Sequence, residues 1–242
     1  MGDVSDCLVS TSLLKKLSSD GYEIDCVSNE VGCQIFDFCP NCKTNLLSNF
    51  IPSVNYDKAI NASAGVLGSS LMECVNANEK YGYGRKDNEL FFYNEGAEKH
   101  YNSIFMKRPT QSNYFQLLYG IAELSWKGEG YSFKYFPKNR CRKTLTGVAI
   151  KHPELSELIM NNLKLEQSRL WRIPFRQNIF KMFDEINRCK RIVTDNENVL
   201  HISCTLRKKV EYIATKESPY KIEMFNSGNI HKYTDTINEN VI

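Results

Sequence analysis

The clearest chemistry in this sequence comes from four cysteines that fall within 17 residues. Cys26, Cys33, Cys39 and Cys42 follow the spacing C-x6-C-x5-C-x2-C. Zn²⁺ binds four thiolates in a tetrahedral arrangement, and a Cys-x-x-Cys turn supplies two of them from one tight loop. We therefore predict a structural zinc as cofactor. With sulfur in all four positions, no coordination site would stay open for a catalytic water.

The stretch "FCPNCKTNLL" around the second pair resembles half of a zinc-ribbon or zinc-knuckle module. It differs in having Lys43 where such modules often carry a glycine after the second cysteine. Two other interpretations stay open at this stage. One is a redox-active Cys-x-x-Cys, which would open a helix in a thioredoxin-like βαβ unit. The other is a set of unbound cysteines that only pack in the core.

A basic region is the second candidate for function. Residues 131–182 hold eleven Lys and Arg but only three Glu and no Asp, and no acidic side chain lies between Glu129 and Glu154. Basic side chains neutralise phosphates, and the aromatic residues nearby could stack on bases. A solvated strand edge or a surface for an acidic protein would have the same composition. The predicted contacts are Lys134, Lys138, Arg140, Arg142, Lys143, Arg169, Arg172 and Arg176.

A weaker candidate is the segment "TDNENVLH". Asp195 and Glu197 precede His201 and could share a divalent ion, although a polar loop before a strand is the plainer interpretation. Cys189 and Cys204 could be paired with His201 as nucleophile and base, but scattered cysteines are more often packing residues.

Established catalytic motifs are absent from the sequence. It contains no P-loop, no G-x-G-x-x-G after a strand, no H-E-x-x-H and no G-x-S-x-G. No D-x-K or E-x-K of a restriction-type nuclease occurs, and no deaminase signature. These absences favour a protein without enzymatic activity, but they leave the question open.

Helical and strand patterns alternate along the chain. They predict an α/β or α+β fold of mixed helices and short strands, with a small N-terminal zinc-knuckle-like module. We expect this module over residues 1–52 and a main domain over 53–242. Within these, we expect a strand at 33–38, one helix over 57–80, and one or two strands over 199–215.

The composition is that of a folded protein, with 42% hydrophobic and 24% charged residues. No apolar run is long enough to span a bilayer, and the N-terminus lacks the features of a signal peptide, so we expect a cytoplasmic location without membrane contact.

The leading hypothesis is a non-enzymatic, zinc-stabilised accessory subunit of a nucleic-acid-associated complex. Antiviral defence is the setting that we suggest for this complex, without a motif that indicates it. The subunit would dock a protein partner and contact the phosphate backbone of DNA or RNA. One alternative is a nuclease-like enzyme with an unrecognised centre near Asp195 and Glu197. Another is a protein-interaction or inhibitor module without a nucleic-acid role.

Overall fold

The structure is a computed structural model that describes residues 3–151, 159, 161, 163, 167–174, 178–214, 220–222 and 229–232. The chain divides into two compact units. The first comprises residues 1–134 and 218–223, and the second comprises 135–217 and 224–242. The expected boundary at residue 52 lies inside the first unit. The expectation of mixed helices and strands is confirmed, whereas no zinc-knuckle module is seen in the described residues.

The first unit consists of helices around two small sheets. Its helices are α1 (Val4–Ser19), α2 (Glu30–Phe36), α3 (Val66–Cys74), α4 (Glu95–Ile104) and α5 (Tyr114–Ile121). Its strands are β1 (Ile24–Ser28), β2 (Cys42–Leu46), β3 (Asn55–Asn61), β4 (Asn76–Lys86) and β5 (Glu89–Phe92). Strands β1 and β2 pair in parallel, β3 pairs with β4 in parallel, and β4 pairs with β5 in antiparallel.

Helix α1 anchors the core of the first unit. The Asp3 side chain caps it by accepting hydrogen bonds from the backbone amides of Ser5 and Asp6. The side chains of Leu8 and Val9 on α1 are fully buried. The Tyr119 hydroxyl of α5 donates to the Ser12 carbonyl of α1 at 2.9 Å, so α1 and α5 are joined by both packing and a buried hydrogen bond.

The segment 33–38 was expected to be a strand, and this was wrong. Its residues belong mainly to α2, whose N-cap is Asn29, with the side-chain oxygen accepting from the Gly32 amide at 2.8 Å. Ile35 and Phe36 are both buried although they are adjacent in sequence. A strand with one solvated face would bury only one of them, whereas a short helix packed on both sides buries both.

The single helix expected over 57–80 was also wrong. The chain forms strand β3, the short helix α3 and strand β4 in succession. The break follows Asn61, whose side-chain amide donates to the carbonyls of Ser63 and Tyr83 at 3.0 and 2.7 Å. Gly82 on β4 allows this close pairing, because a Cβ there would lie 1.9 Å from the Asn61 carbonyl oxygen.

The second unit is an open sheet of parallel strands with helices between them. Its strands are β6 (Arg142–Ala149), β7 (Leu170–Arg172), β8 (Cys189–Thr194), β9 (Lys209–Ala214) and β10 (Asn229–Lys232). A 3₁₀ turn, Gln167–Arg169, precedes β7, and the helices are α6 (Ile179–Asn187) and α7 (Glu197–Thr205). Every strand pair is parallel, in the order β7-β6-β8-β9-β10.

The segment 199–215 was expected to hold only strands. Its first part is helix α7 and its second part is β9, so the prediction was wrong for the first part. Helix α7 buries Val199, Leu200 and Ile202, and β8 buries Ile192 completely. Burial on both sides of the central strands explains the continuous apolar runs in the sequence of this unit.

Candidate functional site

The second unit has a topological switch point between β6 and β8. Numbered within the unit, its strands follow the order 2-1-3-4-5. The chain leaves the carboxyl end of β6 toward β7 on one side and the carboxyl end of β8 toward β9 on the other. In open parallel α/β sheets, ligands bind in the crevice that this divergence leaves outside the carboxyl ends of the strands. The two strand ends to examine are therefore Ala149 and Thr194, which lie opposite each other.

The loops that follow β6 and β8 are joined by hydrogen bonds at this edge. The Thr194 hydroxyl donates to the Ala149 carbonyl at 2.7 Å, and the Asn196 amide donates to the Thr194 hydroxyl at 3.0 Å. The backbone amide of Lys151 donates to both carboxylate oxygens of Asp195, at 2.9 and 3.0 Å. Hydrogen bonds to a carboxylate are stronger than those between neutral groups, so Asp195 fixes one loop against the other.

Helix α7 begins at the same edge. Its N-cap is Asn196, whose side-chain oxygen accepts from the amides of Asn198 and Val199. Glu197 is the first helical residue and is exposed to solvent. A carboxylate in the first turn is favoured by the positive end of the helix dipole.

Strand β9 brings Tyr212 to the level of Thr194 in the sheet register. Burial raises the pKa of the Tyr212 phenol above its usual value, and the negative charges of Glu197 and Asp195 raise it further. The sheet register and the start of α7 therefore place Tyr212, Asp195 and Glu197 at the same edge of the sheet. We call Lys151, Thr194, Asp195, Asn196 and Glu197 the carboxyl-edge site.

The carboxyl-edge site has groups suited to a polar ligand. Carboxylates accept hydrogen bonds from sugar hydroxyls, and the start of a helix attracts phosphate oxygens. Arg172 is the last residue of β7 and is exposed, and the exposed Lys151 follows the end of β6. The edge therefore presents cations beside carboxylates, a combination that fits a ligand with both phosphates and hydroxyls.

The sequence indicated part of this site. Asp195, Glu197 and His201 were expected together, and the structure places the two acids at the edge and His201 on α7, buried. The divalent-ion site is not seen, since no cluster of three or more potential metal ligands occurs in the part of the chain that is described. Sequence reasoning did not connect Lys151 with Asp195, because the contact is made by the backbone amide of Lys151. The signal that could have located the edge was the N-cap residue Asn196.

The four clustered cysteines are in the first unit. Cys26 on β1 and Cys42 on β2 lie two positions apart on neighbouring parallel strands, and each thiol affects the pKa of the other. The Cys33 thiol donates to the carbonyls of Asn45 and Ser28, at 3.4 and 3.6 Å, and the Cys39 thiol donates to the Ser132 carbonyl at 3.0 Å. Two of the thiols thus bond to backbone oxygens rather than face a common centre.

This arrangement does not form the expected metal site. Across the described ranges, no three or more His, Cys, Asp or Glu side chains are grouped so as to hold a metal ion. The zinc-knuckle module predicted at the N-terminus is therefore not seen. As a cofactor, zinc stays an untested prediction, and nothing in the described geometry supports it.

The catalytic pair proposed around His201 is not supported either. Cys189 is fully buried at the amino end of β8, and burial raises the pKa of its thiol to about 12. A thiol held protonated in this way is a poor nucleophile. Cys204 lies on α7 and is also buried.

The predicted basic contacts are distributed over different parts of the fold. Lys134 belongs to the first unit, and the other described members belong to the second. Arg142 and Lys143 begin β6 and so lie at the amino edge of the sheet, whereas Arg172 ends β7 at the carboxyl edge. All those described are exposed, namely Lys134, Lys138, Arg140, Arg142, Lys143, Arg169 and Arg172, and Arg176 lies outside the described residues. Their role in binding nucleic acid stays a prediction at the level of single residues.

The fold is similar to that of a solved glycosyl transferase. A crystal structure of the glycosyl transferase family 9 protein from Veillonella parvula matches 97% of this chain and 84% of its own, with a TM-score of 0.59 and 10% sequence identity. At this identity the likeness concerns the fold. No protein-family model and no curated protein sequence matches the chain.

This similarity overturns the function that the sequence suggested. The chain has a glycosyl-transferase-like fold, and this contradicts the expected zinc-stabilised accessory subunit of a nucleic-acid complex. The associated description as a metal-binding and nucleic-acid-binding protein of antiviral defence was wrong with it. Zinc as a cofactor and DNA or RNA as a partner stay untested predictions. Among the described helices, none has the length and apolarity to cross a membrane. A protein partner and a cytoplasmic location stay predictions.

Proposed function

We propose that this protein transfers a glycosyl group from a nucleotide-activated donor to an acceptor hydroxyl, and that the donor binds at the carboxyl-edge site. The observation that carries the proposal is the position of Asp195 and the start of α7 at the switch point between β6 and β8. Crevices of this kind are where parallel α/β sheets hold nucleotides.

The fold similarity supports the same function. The Veillonella protein is described as a glycosyl transferase of family 9, and the likeness extends over both units of this chain. A shared fold does not by itself assign an activity, so the argument depends on the groups present at the edge.

The described groups suit the parts of an activated sugar. The amino end of α7, together with the side chains of Lys151 and Arg172, would face the donor phosphates with positive potential. Glu197 is exposed beside them and would accept hydrogen bonds from hydroxyl groups of the ribose or of the sugar. Asp195, with both oxygens accepting from the Lys151 amide, would hold the two loops at the spacing that the donor requires.

The reaction needs charge stabilisation at this edge. The acceptor oxygen bonds to the anomeric carbon while the bond from that carbon to the phosphate oxygen breaks. The acceptor proton is lost to a base or to solvent, and the leaving nucleotide gains negative charge. A helix start and preorganised cations stabilise such charge as it develops, and this stabilisation is often the largest single catalytic effect.

Binding of nucleotides tests the site directly. We expect a panel of ADP, UDP, GDP and CMP to contain at least one member that raises the melting temperature of the purified protein. Asp195→Asn should weaken that binding and lower transfer from the matching nucleotide sugar by about 10- to 100-fold, measured as kcat/KM, because the loops lose a charge-assisted link.

Asp184→Asn is the matched control. Asp184 also accepts a backbone amide, from Lys138 at 2.7 Å, together with the Tyr135 hydroxyl at 3.0 Å, but it lies on α6 and not at the carboxyl edge. This variant should keep nucleotide binding. An equal loss in both variants, or a protein that binds no member of the panel, would refute the placement of the donor.

A further inference from the structure

The amino edge of the sheet in the second unit lies at the opposite end of the strands from the carboxyl-edge site. Strands β6, β8 and β9 are neighbours in this parallel sheet, so their first residues lie along one edge. The register places Arg142 beside Cys189, and Arg191 beside Lys209. Basic residues therefore lie at the start of three neighbouring strands that are remote in sequence.

The amino edge has a large excess of positive charge. The segments 138–143, 184–191 and 207–211 begin these strands or lead into them, and they contain ten Lys and Arg but only three Asp and Glu. Two of the three carboxylates are already paired with cations of the edge itself, Glu211 with Arg191 and Glu185 with Arg188. The remaining exposed cations are Lys138, Arg140, Arg142, Lys143, Lys190 and Arg207. They give this edge a positive potential.

A large apolar side chain is exposed next to these cations. The Phe136 side chain is 87% exposed. Its neighbour Tyr135 is packed instead, with its ring centroid 5.1 Å from that of Phe180 on α6. One ring of this adjacent pair thus covers α6, and the other faces solvent. A single exposed ring is common on protein surfaces, so its meaning depends on the cations around it.

The loop that carries Phe136 is held against the last turn of α6. The Lys138 backbone amide donates to the Asp184 carboxylate at 2.7 Å, and the Asn187 side-chain amide donates to the Asn139 carbonyl at 2.7 Å. Helix α6 ends at Asn187 and leads directly into β8, so this loop lies at the amino edge. Because hydrogen bonds fix its backbone, the loop presents the ring and the cations with little further ordering.

We propose that the amino edge of the second unit docks this protein on an anionic lipid surface. The docking surface, which we call the amino-edge patch, consists of Phe136, Lys138, Arg140, Arg142, Lys143, Lys190 and Arg207. The cations are attracted by acidic headgroups, and each contributes to binding as it approaches them. The Phe136 ring buries its apolar area at the boundary between headgroups and acyl chains.

The aromatic residues near the patch favour lipid over a single-stranded nucleic acid. Such nucleic acids are bound on a series of rings, each of which stacks on one base. Here Tyr131 packs on Phe115 and Phe133 packs on Phe38, and the Tyr135 ring packs on α6. Of the four aromatic residues at 131–136, only Phe136 is exposed, which suits insertion at one point.

This proposal does not depend on glycosyl transfer. Strand β8 is six residues long, so the two edges of the sheet are about 20 Å apart. Lipid docking and nucleotide binding can therefore be measured and lost separately. The sequence analysis expected no membrane contact because it found neither a spanning segment nor a signal peptide, but docking on a lipid surface requires neither.

Co-sedimentation with vesicles tests the docking. We expect the purified protein to sediment with vesicles of phosphatidylcholine that contain about one third phosphatidylglycerol, and to stay in solution with phosphatidylcholine alone. Raising NaCl from about 0.1 to about 0.5 M should release most of the bound protein, because the salt screens the charges. Equal binding to both kinds of vesicle, or binding that salt does not weaken, would overturn the proposal.

A matched pair of charge reversals tests the place of contact. Arg142 and Arg172 are both exposed and lie on neighbouring strands, but at opposite edges of the sheet. Arg142→Glu should lower the partition coefficient on anionic vesicles at least about fivefold. Arg172→Glu should change it by less than about twofold, since its charge lies beyond the Debye length from the patch. An equal loss in both variants would overturn the proposal.

A second pair of variants tests the ring. Phe136→Ser should lower the partition coefficient about 5- to 10-fold without a change in charge. Ile51→Ser is the control, because Ile51 is 80% exposed in the first unit and lies outside the patch, and this variant should bind vesicles like the wild type. The melting temperature and nucleotide binding of both should be unchanged. Wild-type vesicle binding by Phe136→Ser would overturn the proposal. So would binding of a short duplex DNA at a salt concentration at which anionic vesicles do not bind.

Discussion

In the cysteine layer, formed by β1, α2 and β2, a strong sequence motif does not form the expected site. In the carboxyl-edge site of the second unit, a candidate site forms almost without a motif. The cysteine layer has the strongest motif in the sequence, yet two of its four thiols donate to backbone carbonyls. The carboxyl-edge site has almost no motif, yet it lies where the strand order of its sheet creates a crevice. Spacing along the chain fixes how near two side chains can come, but the sheet topology decides what they face.

The largest change in stability is expected for a mutation in the buried core of the cysteine layer, and it tests whether apolar packing stabilises this layer. Ile35 on α2 is fully buried, and Ile35→Ala should lower the free energy of unfolding by about 2–5 kcal/mol, because it leaves a cavity under the layer. Urea denaturation of the reduced protein measures this. A loss below 1 kcal/mol would mean that apolar packing does not hold α2, and would weaken the contrast between the two regions.

A second prediction concerns the dependence of stability on pH, which should originate outside both regions. Burial lowers the pKa of His100 to about 4, and its ring nitrogen Nδ1 lies 2.6 Å from the Tyr83 hydroxyl. In the unfolded chain this histidine titrates near 6.5. Stability should therefore fall as the pH drops from about 6.5 to about 4, by up to about 3 kcal/mol, because only the unfolded state takes up the proton in that window.

His100→Gln should flatten this profile while it leaves nucleotide binding at neutral pH unchanged. Asp6 contributes in the opposite direction, since burial raises the pKa of its carboxyl. Its contribution is present below the ordinary value near 3.8 and is lost as the pH rises through the raised value. A wild-type profile without any fall between pH 6.5 and 4 would contradict the assignment to His100.

The smallest effect is expected for the thiols in the reduced protein. Cys42→Ser should change the free energy of unfolding by less than about 1 kcal/mol, because the side chain is only partly buried and serine is close to it in size. A structural zinc site would instead contribute on the order of 10 kcal/mol to folding. Unfolding or aggregation of the reduced Cys42→Ser protein would contradict this prediction. It would mean that the cysteine layer depends on its thiols, as a structural zinc site would require.

The three elements expected at 33–38, 57–80 and 199–215 all failed where the chain forms a short helix. Helix α2 has seven residues and α7 has nine, lengths at which apolar runs in helices and buried strands look alike. In both, the better signal was a capping asparagine, Asn29 or Asn196, directly before the apolar run. For the helix expected over 57–80, small residues that favour close packing were taken for one helix face, although Ala59 lies on β3, Gly68 lies on α3, and Ala62, Ala64 and Gly65 lie between them.

The candidate site was only partly predictable for a different reason. Asp195 and Glu197 were noticed as acids near a histidine, but their meaning depends on β6, which lies about 45 residues earlier and is hydrogen-bonded to β8. That pairing joins segments remote in sequence, and local patterns do not encode it. The arginines of the basic region failed in the same way, since one strand carries Arg142 to the amino edge and another carries Arg172 to the carboxyl edge.

The link between Lys151 and Asp195 also has a consequence for how this chain tolerates mutation. One side of the link is a backbone amide, so nearly any residue at position 151 can supply it, and proline alone cannot. The other side needs a carboxylate at 195. Substitutions can therefore accumulate at 151 without loosening the loops, while those at 195 are restricted. Among related chains, this contact would then restrict position 195, whereas position 151 would be restricted only by the positive charge that its side chain would offer to the donor phosphates.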